Sequence, residues 1–206
     1  MAGTWPSIHA ERAALVADLE GLDQARWATP SLARGWTVED VLAHLVATAK
    51  MTPPRFFSML LASGLRFNAM SAKALAAEKG PTGAETLARY RAVLDQTKHP
   101  PGPLEAMVGE QVVHGEDIRR PLGLGHTYPA DVLVGVADFY RKSNLLLGGK
   151  RRVRGLHLQA SDMDWSTGAG PEVTGPMLDL VLVIAGRPAG LDNLTGEGLS
   201  ALKSRT

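Results

Sequence analysis

There is no cysteine among the 206 residues. Disulfides are therefore excluded, and any thiol chemistry must use a thiol brought in from outside. The absence also suits a cytoplasmic chain, which is the location expected here. No run of five or more basic residues exists, and Lys+Arg of 22 against Asp+Glu of 21 gives a formal net charge of +1. Nucleic acid and membranes are thus not expected as partners. Residues 1–7 lack the charged leader and apolar run of a signal peptide. The longest apolar-rich segment near the end, residues 177–185, is broken by Asp179 and is far too short to span a bilayer. Internal repeats and low-complexity tracts are also lacking. What remains is a chain 45% hydrophobic and 21% charged. That suits one compact domain of about 130–150 residues with a small appendage, or one large domain.

Ile8, Leu15, Val16 and Leu19 recur at helical spacing, Pro6 suits a first turn and Gly21 a stop, so a helix is predicted over residues 6–20. Residues 22–36 read as a long connection carrying Trp27 and Trp36. Both rings suit packing anchors that pin the loop, and Trp36 also suits a substrate lining. A second helix begins after Thr37 as N-cap, with Asp40 three residues on in a shortened capping box. Its apolar stripe is Val38, Val41, Leu42, Leu45 and Ala49. Pro53 and Pro54 interrupt it. The broken helical pattern over residues 55–77, with Phe56, Phe57, Met59, Leu60, Leu61, Leu65, Phe67 and Met70, is expected as core, or else as the wall or lid of a pocket. Further helices are predicted over residues 84–97, 104–120 and 130–147, separated by Pro- and Gly-rich breaks. The texture changes at Lys150. Short strands are predicted at residues 156–160, 162–166 and 172–174, with a hairpin turn at 167–171, then a helix at 177–185 and a last strand or short helix within 191–202. The fold expected is mainly α: a helical bundle over residues 1–149, then a small α+β C-terminal region over residues 150–206.

The helix at 104–120 carries three potential ligands on one flank. At about 100° per residue, Glu110 and His114 lie about 40° apart, and Asp117 about 20° from Glu110. Leu104, Met107, Val108, Val112 and Ile118 form a stripe beside them. A carboxylate and an imidazole at the edge of a buried face need a reason to be there. A divalent cation is one, because it offsets the desolvation of both. Two ligands are too few for a tight site, and His44, at the border of the second helix's stripe, is the candidate third. Two His and one Glu suit zinc first, with nickel or iron as alternatives, and leave a coordination position open. A thiol in that position would lose its proton near neutral pH. Blander readings stand beside this one. Glu110 and His114 could form a solvated flank, His44 a hydrogen-bonded structural histidine, and Asp117 a salt bridge to Arg119 or Arg120. Arg119 and Arg120 themselves are expected at the surface or at the helix C-terminal dipole. His9, His99, His126 and His157 have no companions at ligand spacing.

Trp36-Thr37-Val38 with His44, then Glu110-x-x-x-His114-Gly115-x-Asp117-Ile118-Arg119-Arg120, resembles the DinB-like superfamily and, within it, the mycothiol-dependent maleylpyruvate isomerase family. The resemblance covers roughly residues 8–147. It implies a DinB-like four-helix bundle of the up-down-down-up type, with a divalent metal, usually taken as zinc, on His44, Glu110 and His114. Trp36 and Asp117 are the cofactor-binding candidates beside it. Asp117, one turn beyond His114, is placed to accept a hydrogen bond from a ligand histidine and fix its tautomer. The segment ending Ala185-Gly186-Arg187 resembles the place where these isomerases put an active-site arginine, which makes Arg187 the catalytic candidate. The short tail looks like a reduced form of the family's C-terminal domain. The thiol implied is mycothiol. The function expected is that of a metal-dependent isomerase or S-transferase acting on a small electrophile with a low-molecular-weight thiol, as monomer or homodimer. The alternatives are a non-catalytic metal-containing binding or sensing protein, and a metal-free bundle whose histidines only hydrogen-bond.

Overall fold

A computed structural model describes residues 4–144 and 147–206. The described residues fall into two compact units, divided between His126 and Thr127.

The first unit runs α1 (Thr4–Leu19), α2 (Gln24–Trp27), α3 (Val38–Ala49), α4 (Pro53–Ala62), α5 (Phe67–Glu78), α6 (Gly83–Arg91) and α7 (Leu104–Arg119). Helices α1, α3, α6 and α7 form a four-helix bundle, and α3 also carries α5 on its flank. Helix α3 starts where the sequence puts it. The Thr37 hydroxyl accepts from Asp40 N, and the Asp40 carboxylate accepts from Thr37 N at 2.9 Å, a cap contributing about 1 kcal/mol. Val38, Val41, Leu42, Leu45 and Val46 then bury completely, each stabilising by about 1.5–3 kcal/mol relative to exposure.

Charged groups tie the bundle together. Arg12 on α1 is fully buried, and its Nη1 donates to Val93 O at 3.0 Å and Gln96 O at 2.8 Å, closing carbonyls just past the end of α6. Arg119 was expected at the surface or at the helix C-terminal dipole; it ends α7, and it is buried, with its Nε donating to Asp18 Oδ2 at 2.7 Å. The packing of α1 on α7 covers it. Arg120 pairs with Glu116 one turn back at 2.9 Å.

The stretch at 55–77 departs from the expected core. Pro53 and Pro54 take the first turn of α4 behind the Thr52 N-cap, and α4 buries none of its residues. Phe56 and Met59 lean on Ala47, Met51 and Ala74, while Phe57 and Leu61 are 59% and 72% exposed. Burial resumes on α5, where Met70, Ala74 and Leu75 face α3. One amphipathic stripe suffices to dock α4, and its other apolar side chains stay outside.

The second unit holds α8 (Ala130–Tyr140), α9 (Gly149–Arg152), β1 (His157–Ala160), β2 (Ser166–Gly168), β3 (Glu172–Gly175), α10 (Met177–Ile184), a 3-10 turn (Pro188–Asn193) and α11 (Leu199–Lys203). The helix predicted at 130–147 ends at Tyr140; its Leu145 and Leu146 lie outside the described residues. Helix α8 packs on α10, whose residues Leu180–Ile184 are buried on every side. The division therefore comes some twenty residues before the 149/150 boundary expected from sequence texture.

The three-stranded sheet has the order β2-β1-β3, with β1 antiparallel to β2 and parallel to β3. The hairpin predicted across 167–171 is absent. The reverse turn comes earlier, where Ala160 N donates to Trp165 O at 2.9 Å. After β2 the chain crosses the start of β1 to its other edge. Gly168 and Gly170 permit this, with φ of 81° and 131°; a Cβ on either would sit 2.2 Å from a carbonyl oxygen of Leu156 or Gly155. No described helix is long and apolar enough to cross a membrane.

Candidate metal centre

His44 lies in the middle of α3, and Glu110 and His114 lie one turn apart on α7, which packs against it. The two helices bring the three side chains together. His44 Nε2 is 2.8 Å from Glu110 Oε1. The two imidazoles meet edge to face with centroids 4.9 Å apart. One ligand atom from each residue fits within 4.8 Å of the other two, and among the described residues no other such cluster of three forms. The His44, Glu110 and His114 side chains are 17%, 18% and 16% exposed, largely dry yet reachable from solvent.

The donor set fits a divalent ion. Ligand atoms about 2.1 Å from a tetrahedral ion lie about 3.4 Å from each other. The 2.8 Å between His44 Nε2 and Glu110 Oε1 is shorter than that value and the 4.8 Å limit for the three ligand atoms is longer, so side-chain rotation is needed to close them round an ion. The charge count agrees, with one carboxylate and two imidazoles and room for an exogenous ligand. Glu110 is the anionic anchor. Burial pushes its carboxyl up, but the His44 hydrogen bond and charge, then the His114 charge and the Thr48 hydroxyl, together hold it below its ordinary value. It stays ionised at neutral pH and available to a cation.

Asp117 stands where the helical spacing put it. Its side chain is fully buried, with Oδ2 2.8 Å from His114 Nδ1. A carboxylate there accepts from an Nδ1–H and leaves Nε2 as the lone-pair donor of His114. Arg119 and Arg120, the other partners considered for Asp117, pair with Asp18 and Glu116. Trp36 packs beside the site, its ring 5.0 Å from that of His44 and 6.3 Å from that of His114. Trp27 is the buried anchor of the connecting loop, with its Nε1 donating to Leu22 O.

Sequence reasoning passed over Thr48. Its Oγ1 lies 2.9 Å from Glu110 Oε1 and 3.0 Å from His44 O. The signal was available: Thr48 follows His44 by four residues, on the same face of α3. The remaining histidines serve elsewhere. His126 Nε2 is 2.9 Å from Glu11 Oε2, His99 Nδ1 is 2.7 Å from Pro100 O, and His9 packs near Trp5. Arg187 is not a member of the cluster. It belongs to the second unit, preceding the 3-10 turn, with its Nη1 3.4 Å from Ala185 O.

A family model described as the mycothiol maleylpyruvate isomerase N-terminal domain matches residues 8–119. Two solved structures are similar to the whole chain. One is the mycothiol-dependent maleylpyruvate isomerase, at 16% identity and a TM-score of 0.60, over 94% of this chain and 91% of that one. The other is a histidine-to-alanine variant of a protein so titled, at 15% identity and a TM-score of 0.62, with the same coverage. No match was found among curated proteins.

Proposed function

Because this chain belongs to the mycothiol maleylpyruvate isomerase family, we propose that it is a metal-dependent enzyme that uses mycothiol to isomerise, or to transfer sulfur to, a small electrophile. The observation that carries this reading is the convergence of His44, Glu110 and His114 from two helices in a chain without cysteine. The residues fit zinc, and nickel or iron by the same donor chemistry. An ion held there supplies Lewis acidity, which brings a thiol's proton loss into the neutral range. Mycothiol supplies the nucleophilic sulfur that the chain itself lacks. The two fit cis–trans isomerisation by reversible addition to a double bond, or S-transfer to a reactive carbon.

The chain's own residues have defined tasks in this scheme. His44, Glu110 and His114 would be the ligands. Asp117 holds the Nδ1 proton of His114 and so presents its other nitrogen. Thr48 fixes the Glu110 carboxylate. Trp36 walls the imidazoles and keeps bulk water from that side, which strengthens every charge interaction within. Arg187 is carried, on the family resemblance alone, as the active-site arginine.

The test is a rate measurement on metal-depleted and zinc-loaded protein. Mycothiol is paired with maleylpyruvate in one assay and with a bromobimane in the other. Turnover that needs both metal and thiol, and that His44→Ala and Glu110→Ala abolish, is expected. A zinc-loaded protein no faster than the metal-depleted one in both assays would overturn the enzymatic reading. Mycothiol binding without turnover would instead favour a binding or sensing protein.

A further inference from the structure

The second unit carries a cleft of about 520 Å³ whose lining includes Arg151, Arg152, Arg154, Ser204, Arg205 and Thr206. Its size lies within the roughly 300–1,000 Å³ of small-molecule sites. Four guanidinium groups converge on it, three from the Lys150-Arg151-Arg152-Val153-Arg154 stretch and one from past the end of α11. None of the four has a carboxylate partner among the described residues. Several buried or half-buried cations elsewhere pair with acids, as at Arg119–Asp18, Arg120–Glu116 and Lys79–Asp40, while buried Arg12 is held by carbonyls alone.

The four arginines divide into two kinds. Arg152 and Arg205 brace the fold. Arg152 Nη1 donates to Leu147 O at 3.1 Å and Ile184 O at 2.6 Å, and Arg205 Nη1 donates to Arg152 O at 3.1 Å and Arg154 O at 2.7 Å. Arg151 and Arg154 brace nothing. Both are exposed, and neither guanidinium makes a hydrogen bond to the chain. Desolvation, then the charges of Arg151 and Arg187, push the Arg152 guanidinium below its ordinary value. Of the cleft's other arginines, Arg151 is the one whose charge bears on Arg152, and an anion beside it would relieve that repulsion.

We propose that this cleft is a binding site for a small phosphate-bearing anion, gripped by Arg151 and Arg154 on a frame set by Arg152 and Arg205. The planar forks of arginine match tetrahedral oxyanions by paired N–H donors; the Ser204 and Thr206 hydroxyls at the rim donate to Ala201 O and Leu202 O. The proposal does not rest on the reaction proposed above: Arg187, whose charge acts on Arg152, is not among the lining residues, and Arg151 and Arg154 have no task in that reaction.

The experiment is titration of the full-length protein with pyrophosphate, by calorimetry and thermal melting, with ionic strength held constant by KCl. Three proteins are compared: wild type, Arg151→Ala/Arg154→Ala, and the charge-matched control Arg55→Ala/Lys98→Ala, whose residues are exposed in the first unit. Saturable binding by wild type and control is expected, with at least a tenfold weaker Kd in the Arg151/Arg154 pair. The unliganded melting temperature of that pair should stay at the wild-type value, because neither side chain braces the fold. Absence of saturable pyrophosphate binding would overturn the proposal, as would equal weakening in the charge-matched control. Tighter binding of citrate than of pyrophosphate would overturn the phosphate assignment. So would binding of a single-stranded oligonucleotide that pyrophosphate cannot displace.

Discussion

Replacing Asp117 separates a tuned metal site from a pair of histidines that only hydrogen-bond. The carboxylate is fully buried and sits 2.8 Å from His114 Nδ1. Two properties reach His114 through that contact: an acceptor that fixes the tautomer, and a negative charge that raises the basicity of the far nitrogen. Asp117→Asn keeps an acceptor of the same shape and removes the charge. Asp117→Ala removes both. Losing such an outer partner typically weakens metal binding about 10- to 100-fold, or about 1.4–2.7 kcal/mol at about 1.4 kcal/mol per tenfold. The asparagine variant should fall near the lower end and the alanine variant near the upper end. The assay is competitive zinc titration against a chromophoric chelator at constant pH, with circular dichroism confirming that each variant is folded. Thr48→Val is the companion, since its hydroxyl touches Glu110 on the opposite side of the cluster at 2.9 Å. It should weaken zinc less than Asp117→Ala does, because it orients a ligand that already carries its charge. Folded Asp117 variants that bind zinc as tightly as wild type would refute the reasoning, and so would a larger loss in asparagine than in alanine.

Thr86→Val should destabilise the protein by about 2 kcal/mol in urea titrations: the buried hydroxyl donates to Glu39 Oε1 at 2.8 Å and accepts from Gly80 N at 2.8 Å, so both are left unsatisfied. A loss below a few tenths would mean that water takes its place. Gly83→Ala adds a good helix former, yet its Cβ would fall 2.1 Å from the Trp27 ring; a net loss of about 1–3 kcal/mol is expected from overpacking, and a gain in melting temperature would contradict the packing described. Lys79→Met tests the pair with Asp40 at 2.8 Å. Burial raises Asp40, but the Lys79 and Thr37 hydrogen bonds outweigh it and hold the carboxyl below its ordinary value, while the Asp40 hydrogen bond holds Lys79 above its own. The pair's contribution is thus present above about pH 4, lost as pH falls through the depressed Asp40 value, and lost again as pH rises past about 10.4 through the raised Lys79 value. Since Lys79 is about one-third exposed, the expected cost is under about 1 kcal/mol at pH 7 and shrinks as pH falls through the depressed Asp40 value; a cost that does not change with pH would show that the lysine acts by packing alone.

The primary sequence by itself determined what depends on near neighbours. Thr37 and Asp40 set the start of α3 because a capping box closes within four residues. The Glu110, His114 and Asp117 flank followed from helical geometry alone, and so did the reach of Asp117 to His114. Spacing also allowed Thr48 to be read, although it went unread. Tertiary structure decided everything that needed two distant segments. It brought His44 to Glu110, 66 residues on, through packing of α3 on α7. It buried Arg119, whose charge the approach of Asp18 on α1 helps to offset. It left α4 at the surface, since apolar content says that a face can be buried and not that another face arrives to bury it. It also gave α8 to the C-terminal unit and β3 to the parallel edge of β1, because partner choice between packed elements is a contest of whole surfaces that no local pattern records.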